Sequence, residues 1–242
     1  MKKALKTNNK KHIPNTITCC NLICGCIAAY HAFAGRYEWA FAFIIAGAVF
    51  DFFDGFAARL LKVSSPIGKE LDSLADVVTF GVAPATILFA LLSELPALTS
   101  NDFVNQILPF SAFLIAALSA LRLAKFNLDE RQTGSFIGLP TPANALFWSA
   151  LVVGTHDLIV SHVWMWWLLL VGILLSCYLL VAELPMFALK FKHFGWKGNG
   201  LKYGFILLSA ILLIALGWAG FSAVILCYIL LSIVNNKCSK CA

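Results

Sequence analysis

Apolar residues along this chain gather into long runs separated by short polar stretches. The runs can be drawn at 15–35, 39–61, 75–93, 106–126, 141–156, 162–182, 203–217 and 221–235, and ~20 apolar residues suffice for a helix to cross the hydrocarbon of a bilayer. The pattern predicts an all-α integral membrane protein, a bundle of about eight transmembrane helices in one membrane domain over residues 1–242. An unbroken helix over 203–235 would be ~50 Å long at ~1.5 Å per residue, more than one crossing needs. Gly217, Trp218, Ala219 and Gly220 offer the turn that divides it.

Lysine and arginine then orient the bundle, because short cytoplasmic loops collect them. With eight spans, all of the 18 Lys and Arg residues except Arg36 fall on one side. They lie in the basic segment 1–13, after the second run (Arg59, Lys62, Lys69), after the fourth (Arg122, Lys125, Arg131), after the sixth (Lys190, Lys192, Lys197, Lys202) and in the tail 236–242 (Lys237, Lys240). Both termini are therefore expected on the cytoplasmic side of a cell membrane. The basic N-terminus has the outline of a signal peptide, but the run from Ile17 is long enough to span, no small-residue cleavage site ends it, and further spans follow.

Composition supports the same class. The chain is 60% hydrophobic and 12% charged, with a mean hydropathy of +0.84, whereas soluble domains carry about 25% charged residues. The net charge of +6, spread over the loops, suits attraction to anionic lipid headgroups and gives no reason to expect nucleic acid. Cys19, Cys20, Cys24, Cys26, Cys177 and Cys227 lie within apolar runs and read as packing residues. Cys238 and Cys241 form a single CxxC without the second pair or nearby histidine a tetrahedral metal site needs. Trp164, Trp166 and Trp167 read as an interfacial aromatic belt.

One stretch departs from the apolar background. DFFDGFAARLLKVSSPIGKELDSLAD, residues 51–76, holds Asp51, Asp54, Asp72 and Asp76 beside apolar runs, where ionisable groups are costly and are functional candidates by default. On helices, the pairs 51/54 and 72/76 each project from one face, and two such helices face to face bring all four acids together. Pro66 and Gly68 are expected to break the helix between them. Oxygen-rich clusters of this kind hold hard divalent cations, and paired cations suit displacement at phosphorus. Arg59 supplies a planar fork for phosphate oxygens, and Gly55 leaves room for a ligand against the helix backbone. A solvated helix end pairing with Arg59, Lys62 and Lys69 is the bland alternative. A cation transporter is another, although it would scatter its acids near the membrane midplane.

The spacing DxxDGxxAR, eight residues, G, three, D, three, D resembles the signature of the CDP-alcohol phosphatidyltransferase family, and every fixed position matches. The resemblance implies a six-helix membrane core, here followed by two further spans, that is usually homodimeric and displaces CMP from a CDP-linked lipid with the hydroxyl of a second alcohol. It implies two divalent cations, Mg2+ or Mn2+, held by Asp51, Asp54, Asp72 and Asp76, with Asp76 also the proton acceptor. It further implies that Gly55, Arg59, Ser65 and Gly68 contact the CDP moiety. The N-terminal IPNTIT, with Asn15 and Thr18, is similar to the family's nucleotide-side motif, and Asn15 reads equally as a helix cap at the membrane edge.

Three further stretches, LRLAKFN at 121–127, FIGLPTPANA at 136–145 and LLVAELPMFALKFK at 179–192, resemble the membrane-embedded, serine-accepting branch of that family. They imply CDP-diacylglycerol and L-serine as substrates, with another acceptor such as glycerol 3-phosphate or an inositol phosphate as the alternative. Serine's carboxylate and ammonium call for a fixed cation and an acceptor oxygen, and Arg122, Lys125 and Asn127 are the candidates. The branch often has arginine where Lys125 stands, which favours Arg122 for the carboxylate. Anchoring after the fourth span explains the same charges equally well. Pro140 and Pro142 are expected to set a rigid start to the fifth span.

Overall fold

A computed structural model of the chain describes residues 2–128, 136–186, 195 and 199–241. Arg131, Lys190, Lys192, His193 and Lys197 lie outside the described residues, as do the side chains of the basic residues at both ends and of Cys238 and Cys241. The described residues form the helices α1 Lys2–Phe33, α2 Tyr37–Leu61, α3 Pro66–Asp76, α4 Ala83–Glu94, α5 Asp102–Ile107, α6 Leu114–Leu128, α7 Thr141–Val160, α8 Met165–Val181, α9 Gly200–Leu216 and α10 Ala219–Cys241. Among the described residues, five helical segments are long and apolar enough to cross a membrane: His12–Phe33, Tyr37–Leu61, Pro66–Glu94, Asp102–Leu128 and Thr141–Val160. Met165–Val181, Lys202–Leu216 and Ala219–Val234 are shorter apolar helices.

Two of the long segments change helical pitch along their length. Between α3 and α4 the helix widens into a π turn at Val77–Val82, and α6 is reached from α5 through a 3-10 stretch at Leu108–Phe113. The reversal between α2 and α3 falls earlier than the sequence led us to expect. Lys62 terminates α2 in a left-handed conformation, φ 51°. Ser65 then caps α3, its Oγ accepting from the Gly68 N–H at 2.9 Å. Pro66 sits in the first helical turn, where a missing N–H costs nothing, and Gly68 lies inside the helix. Pro142 likewise occupies the first turn of α7.

A short antiparallel pairing, unpredicted from the sequence, joins β1 Phe136–Ile137 to β2 Pro185–Met186. It is extended by the Gly138 N–H to the Leu184 carbonyl and the Leu139 N–H to the Leu179 carbonyl, each 2.9 Å. Gly138 has φ +76°, and a Cβ there would stand 2.8 Å from the Leu180 carbonyl oxygen, so the start of α7 is tied to the end of α8 through a position only glycine fills.

The interior is packed mainly from α1, α2, α4, α7 and α8, around Phe80, Leu88, Leu91, Ile115, Trp148, Leu169 and Ile173. Trp166 belongs to this core and donates its indole N–H to the Pro96 carbonyl at 2.9 Å. Only Trp164 and Trp167 of the expected belt face outward. Of the cysteines, Cys24 and Cys177 are buried, whereas Cys19 and Cys26 are exposed, so the packing role extends to only part of the set. The two ends of the bundle differ in chemistry. The aspartates lie where α2 ends and α3 runs, and at the far end of α2 and α4 Tyr37 donates to Glu94, which also bonds His156 at 2.8 Å.

Candidate functional site

Helix α1 packs along α2 and against α3 and the π turn, and that crossing builds the site. Asp51 and Asp54 come from the C-terminal half of α2, Asp72 and Asp76 from α3. Asp51, Asp72 and Asp76 each offer a carboxylate oxygen, and these oxygens lie within 4.8 Å of one another. Asp76 is buried, at 8% exposure. Like charges this close in a poorly solvated interior repel strongly unless a cation is shared among them. Asp72 Oδ1 is buried without a hydrogen-bond partner, and the donor set is entirely hard oxygen. The three residues therefore fit a divalent cation.

Asp54 stands slightly apart. Its Oδ2 accepts from the Thr18 hydroxyl at 2.6 Å, and it lies on the wall of a neighbouring cleft of about 270 Å³. The cleft runs between α1, α2 and the start of α3. Asn15, Thr18, Gly55, Ser65 and Gly68, all expected near the CDP moiety, line it together with Asp54, Asp72 and Lys69. Asn15 lies well inside α1, which removes the helix-cap reading. A Cβ at Gly68 would stand 3.0 Å from both Asn15 Oδ1 and Ser65 Oγ, whereas one at Gly55 would meet nothing within 4 Å. Gly68 thus allows two elements to touch, and Gly55 leaves space for a ligand. Arg59 is exposed in the last turn of α2 and does not line the cleft; among the described lining residues Lys69 carries the positive charge.

The three acceptor candidates separate. Arg122 is buried, at 8% exposure, stacked 5.5 Å over Phe126 and near enough to Asp76 for their charges to interact. One guanidinium N–H donates to Thr141 Oγ1 at 3.4 Å, while Nε has no partner. Lys125 is exposed. Asn127 is engaged between helices: its side-chain amide donates to Ser73 Oγ at 2.8 Å, and its backbone carbonyl accepts from Lys69 Nζ at 2.8 Å.

Two contributors were not singled out from the sequence. Lys69 was read there as a loop charge. Asn21 is fully buried and donates its amide to Asp76 Oδ1 at 3.1 Å. Its signal was present: Asn15, Thr18 and Asn21 recur every three residues, a polar stripe along an otherwise apolar run.

Membrane-crossing helices arranged around a carboxylate cluster, with a polar cleft on one side and a buried arginine on the other, define a membrane-embedded enzyme of the phosphoryl-transfer class. The chain belongs to the CDP-alcohol phosphatidyltransferase family, whose sequence profile matches residues 11–178. It is 36% identical over 183 residues to a CDP-diacylglycerol--serine O-phosphatidyltransferase of Bacillus subtilis, a match covering 76% of this chain and 91% of that protein. It is also 37% identical over 150 residues to the protein of the same name from Methanocaldococcus jannaschii, covering 62% of this chain and 63% of the relative. A third protein of that name, from Saccharomyces cerevisiae, is 45% identical over 121 residues, covering 46% of this chain and 39% of its own length.

Proposed function

We propose that the enzyme transfers the phosphatidyl group of CDP-diacylglycerol to L-serine, forming phosphatidylserine and CMP. The observation that carries this reading is the buried Arg122 with an unpartnered Nε beside Asp76, in a chain whose relatives are named for serine transfer. Asp51, Asp54, Asp72 and Asp76 would hold two divalent cations, Mg2+ or Mn2+, which when bound would supply positive charge to phosphate oxygens and to departing CMP.

The chain's own residues do the rest. Asn15, Thr18, Gly55, Ser65, Gly68 and Lys69 receive the CDP moiety in the cleft they line, and Arg59 reaches it from the rim. Arg122 binds the serine carboxylate and so directs the hydroxyl to Asp76. Asp76 takes the hydroxyl proton, the serine oxygen forms a bond to the lipid-linked phosphorus, and the bond to the CMP oxygen breaks. Residues 1–242 form one membrane domain of eight spans, the three shorter apolar helices included, with both termini and the aspartates at the cytoplasmic face of the cell membrane. Lipid substrate enters from the bilayer, and the enzyme works as a homodimer.

Replacing Arg122 by Lys tests the acceptor site. Losing a charged hydrogen bond of about 1.5–3 kcal/mol should raise the KM for serine by about tenfold or more, with the KM for CDP-diacylglycerol unchanged. An unchanged serine KM contradicts the assignment.

A further inference from the structure

We propose that Asn21 is a positioning residue for this reaction, whose side-chain amide holds the Asp76 carboxylate in the orientation from which it accepts the alcohol's proton; this rests on the role given to Asp76 above. Nδ2 stands 3.1 Å from Asp76 Oδ1. A carboxylate accepts and cannot donate, so the amide nitrogen must face Asp76 and the amide oxygen must face away. That oxygen points towards Gly47 and has no hydrogen-bond partner, although Asn21 is fully buried.

Packing alone does not account for this choice. An apolar side chain would avoid leaving a carbonyl unpaired, which costs about 1–3 kcal/mol. The surroundings instead fix the amide in place. A Cβ at Gly47 would lie 2.9 Å from Asn21 Oδ1 and 2.5 Å from Thr79 Cγ2, and one at Gly25 would lie 2.5 Å from Thr79 Oγ1. Thr79 itself donates to the Asn21 backbone carbonyl at 3.0 Å, and it belongs to the π turn that begins one residue after Asp76. The two glycines let α1 and α2 close onto that turn, so the donor on α1 and the acid on α3 share one rigid crossing. With Oδ1 engaged, the carboxylate is held in one orientation beside Asp51 and Asp72, and its second oxygen keeps a defined direction for the incoming hydroxyl. Thr18, one helical turn earlier, engages Asp54 in a comparable way.

The test uses the full chain purified into lipid nanodiscs, as wild type, Asn21→Leu, Asn21→Asp and Asp76→Asn. CMP release is followed with whichever alcohol wild type accepts, Mn2+ affinity is read by electron paramagnetic resonance, and folded protein is matched by thermal melting. Asn21→Asp keeps the side chain's size, Asn21→Leu keeps its branching, and both lose the fixed donor. Each should lower kcat by about 10- to 100-fold, with the KM for CDP-diacylglycerol and the Mn2+ affinity of Asn21→Leu within about threefold of wild type. Either folded Asn21 variant retaining kcat within about twofold overturns the positioning role, as does a loss confined to KM or to Mn2+ affinity. Turnover by Asp76→Asn overturns the role of Asp76 and the proposal with it, which separates the two failures.

Discussion

A carboxylate that removes a proton from an alcohol needs one oxygen free, a fixed direction and neighbours that balance its charge. Asp76 has Asn21 on one oxygen, Arg122 within electrostatic reach and two more acids beside it. Asp76→Asn, nearly identical in shape, should reduce CMP release by about 100- to 10,000-fold while the protein still folds; a melting curve and a turnover assay on one preparation check both halves. The two glycines of the cleft should behave differently from each other. Gly68→Ala pushes Asn15 and Ser65 apart, because its Cβ would stand 3.0 Å from each, and it should lower the melting temperature as well as weaken CDP-lipid binding. Gly55→Ala meets no protein atom within 4 Å and should raise the KM for CDP-diacylglycerol with little change in stability. The four aspartates were legible in the sequence because charge among apolar runs is costly and their helical spacing is fixed. Asn21 was not, since an uncharged amide stands out only once its partner on another helix is known. The sequence already favours Arg122 over Lys125 for the carboxylate, but the burial of one and the exposure of the other depend on the fold.

At the level of elements, the apolar runs located the helices well, because a span needs a continuous apolar length. Their ends and irregularities depend on capping and on contacts between helices, which a hydropathy pattern does not contain. The break before α3 follows from a left-handed Lys62 and a capping Ser65, where Pro66 and Gly68 had drawn attention. The π turn after Asp76 adds a residue to the helix just where Thr79 must face Asn21, and such insertions recur at functional sites. The pairing of β1 with β2 joins segments some 50 residues apart, beyond any local signal. Ser65→Ala removes the cap from α3 and should cost about 1 kcal/mol of stability, measured as a lower melting temperature. It should also lower kcat, since α3 carries Asp72 and Asp76.

For the whole molecule, α9 and α10 extend beyond the matched family region; α10 docks tightly onto it and α9 packs on α10. Ser222 donates to the Phe147 carbonyl at 2.7 Å, Phe41 packs edge-on against Trp218 and Phe221, and a Cβ at Gly154 would stand 2.5 Å from the Ala219 nitrogen. Gly154→Leu should therefore force α10 off α7 and lower the melting temperature, while the KM for CDP-diacylglycerol, set at the other end of α2, stays close to wild type. The turn at Gly217 that divides these helices was readable from length alone, whereas the docking of α10 onto α7 was not, because it depends on small residues meeting across the interface. An acid cluster, a buried Arg122 beside it and relatives named for serine transfer combine into one claim, that the protein makes phosphatidylserine. Acceptor-dependent CMP release tests it most directly. Purified protein with CDP-diacylglycerol and Mg2+ should release CMP when L-serine is added, should stop when the cation is chelated, and should not respond to glycerol 3-phosphate or an inositol phosphate. Release with either of those acceptors and none with serine would contradict the account.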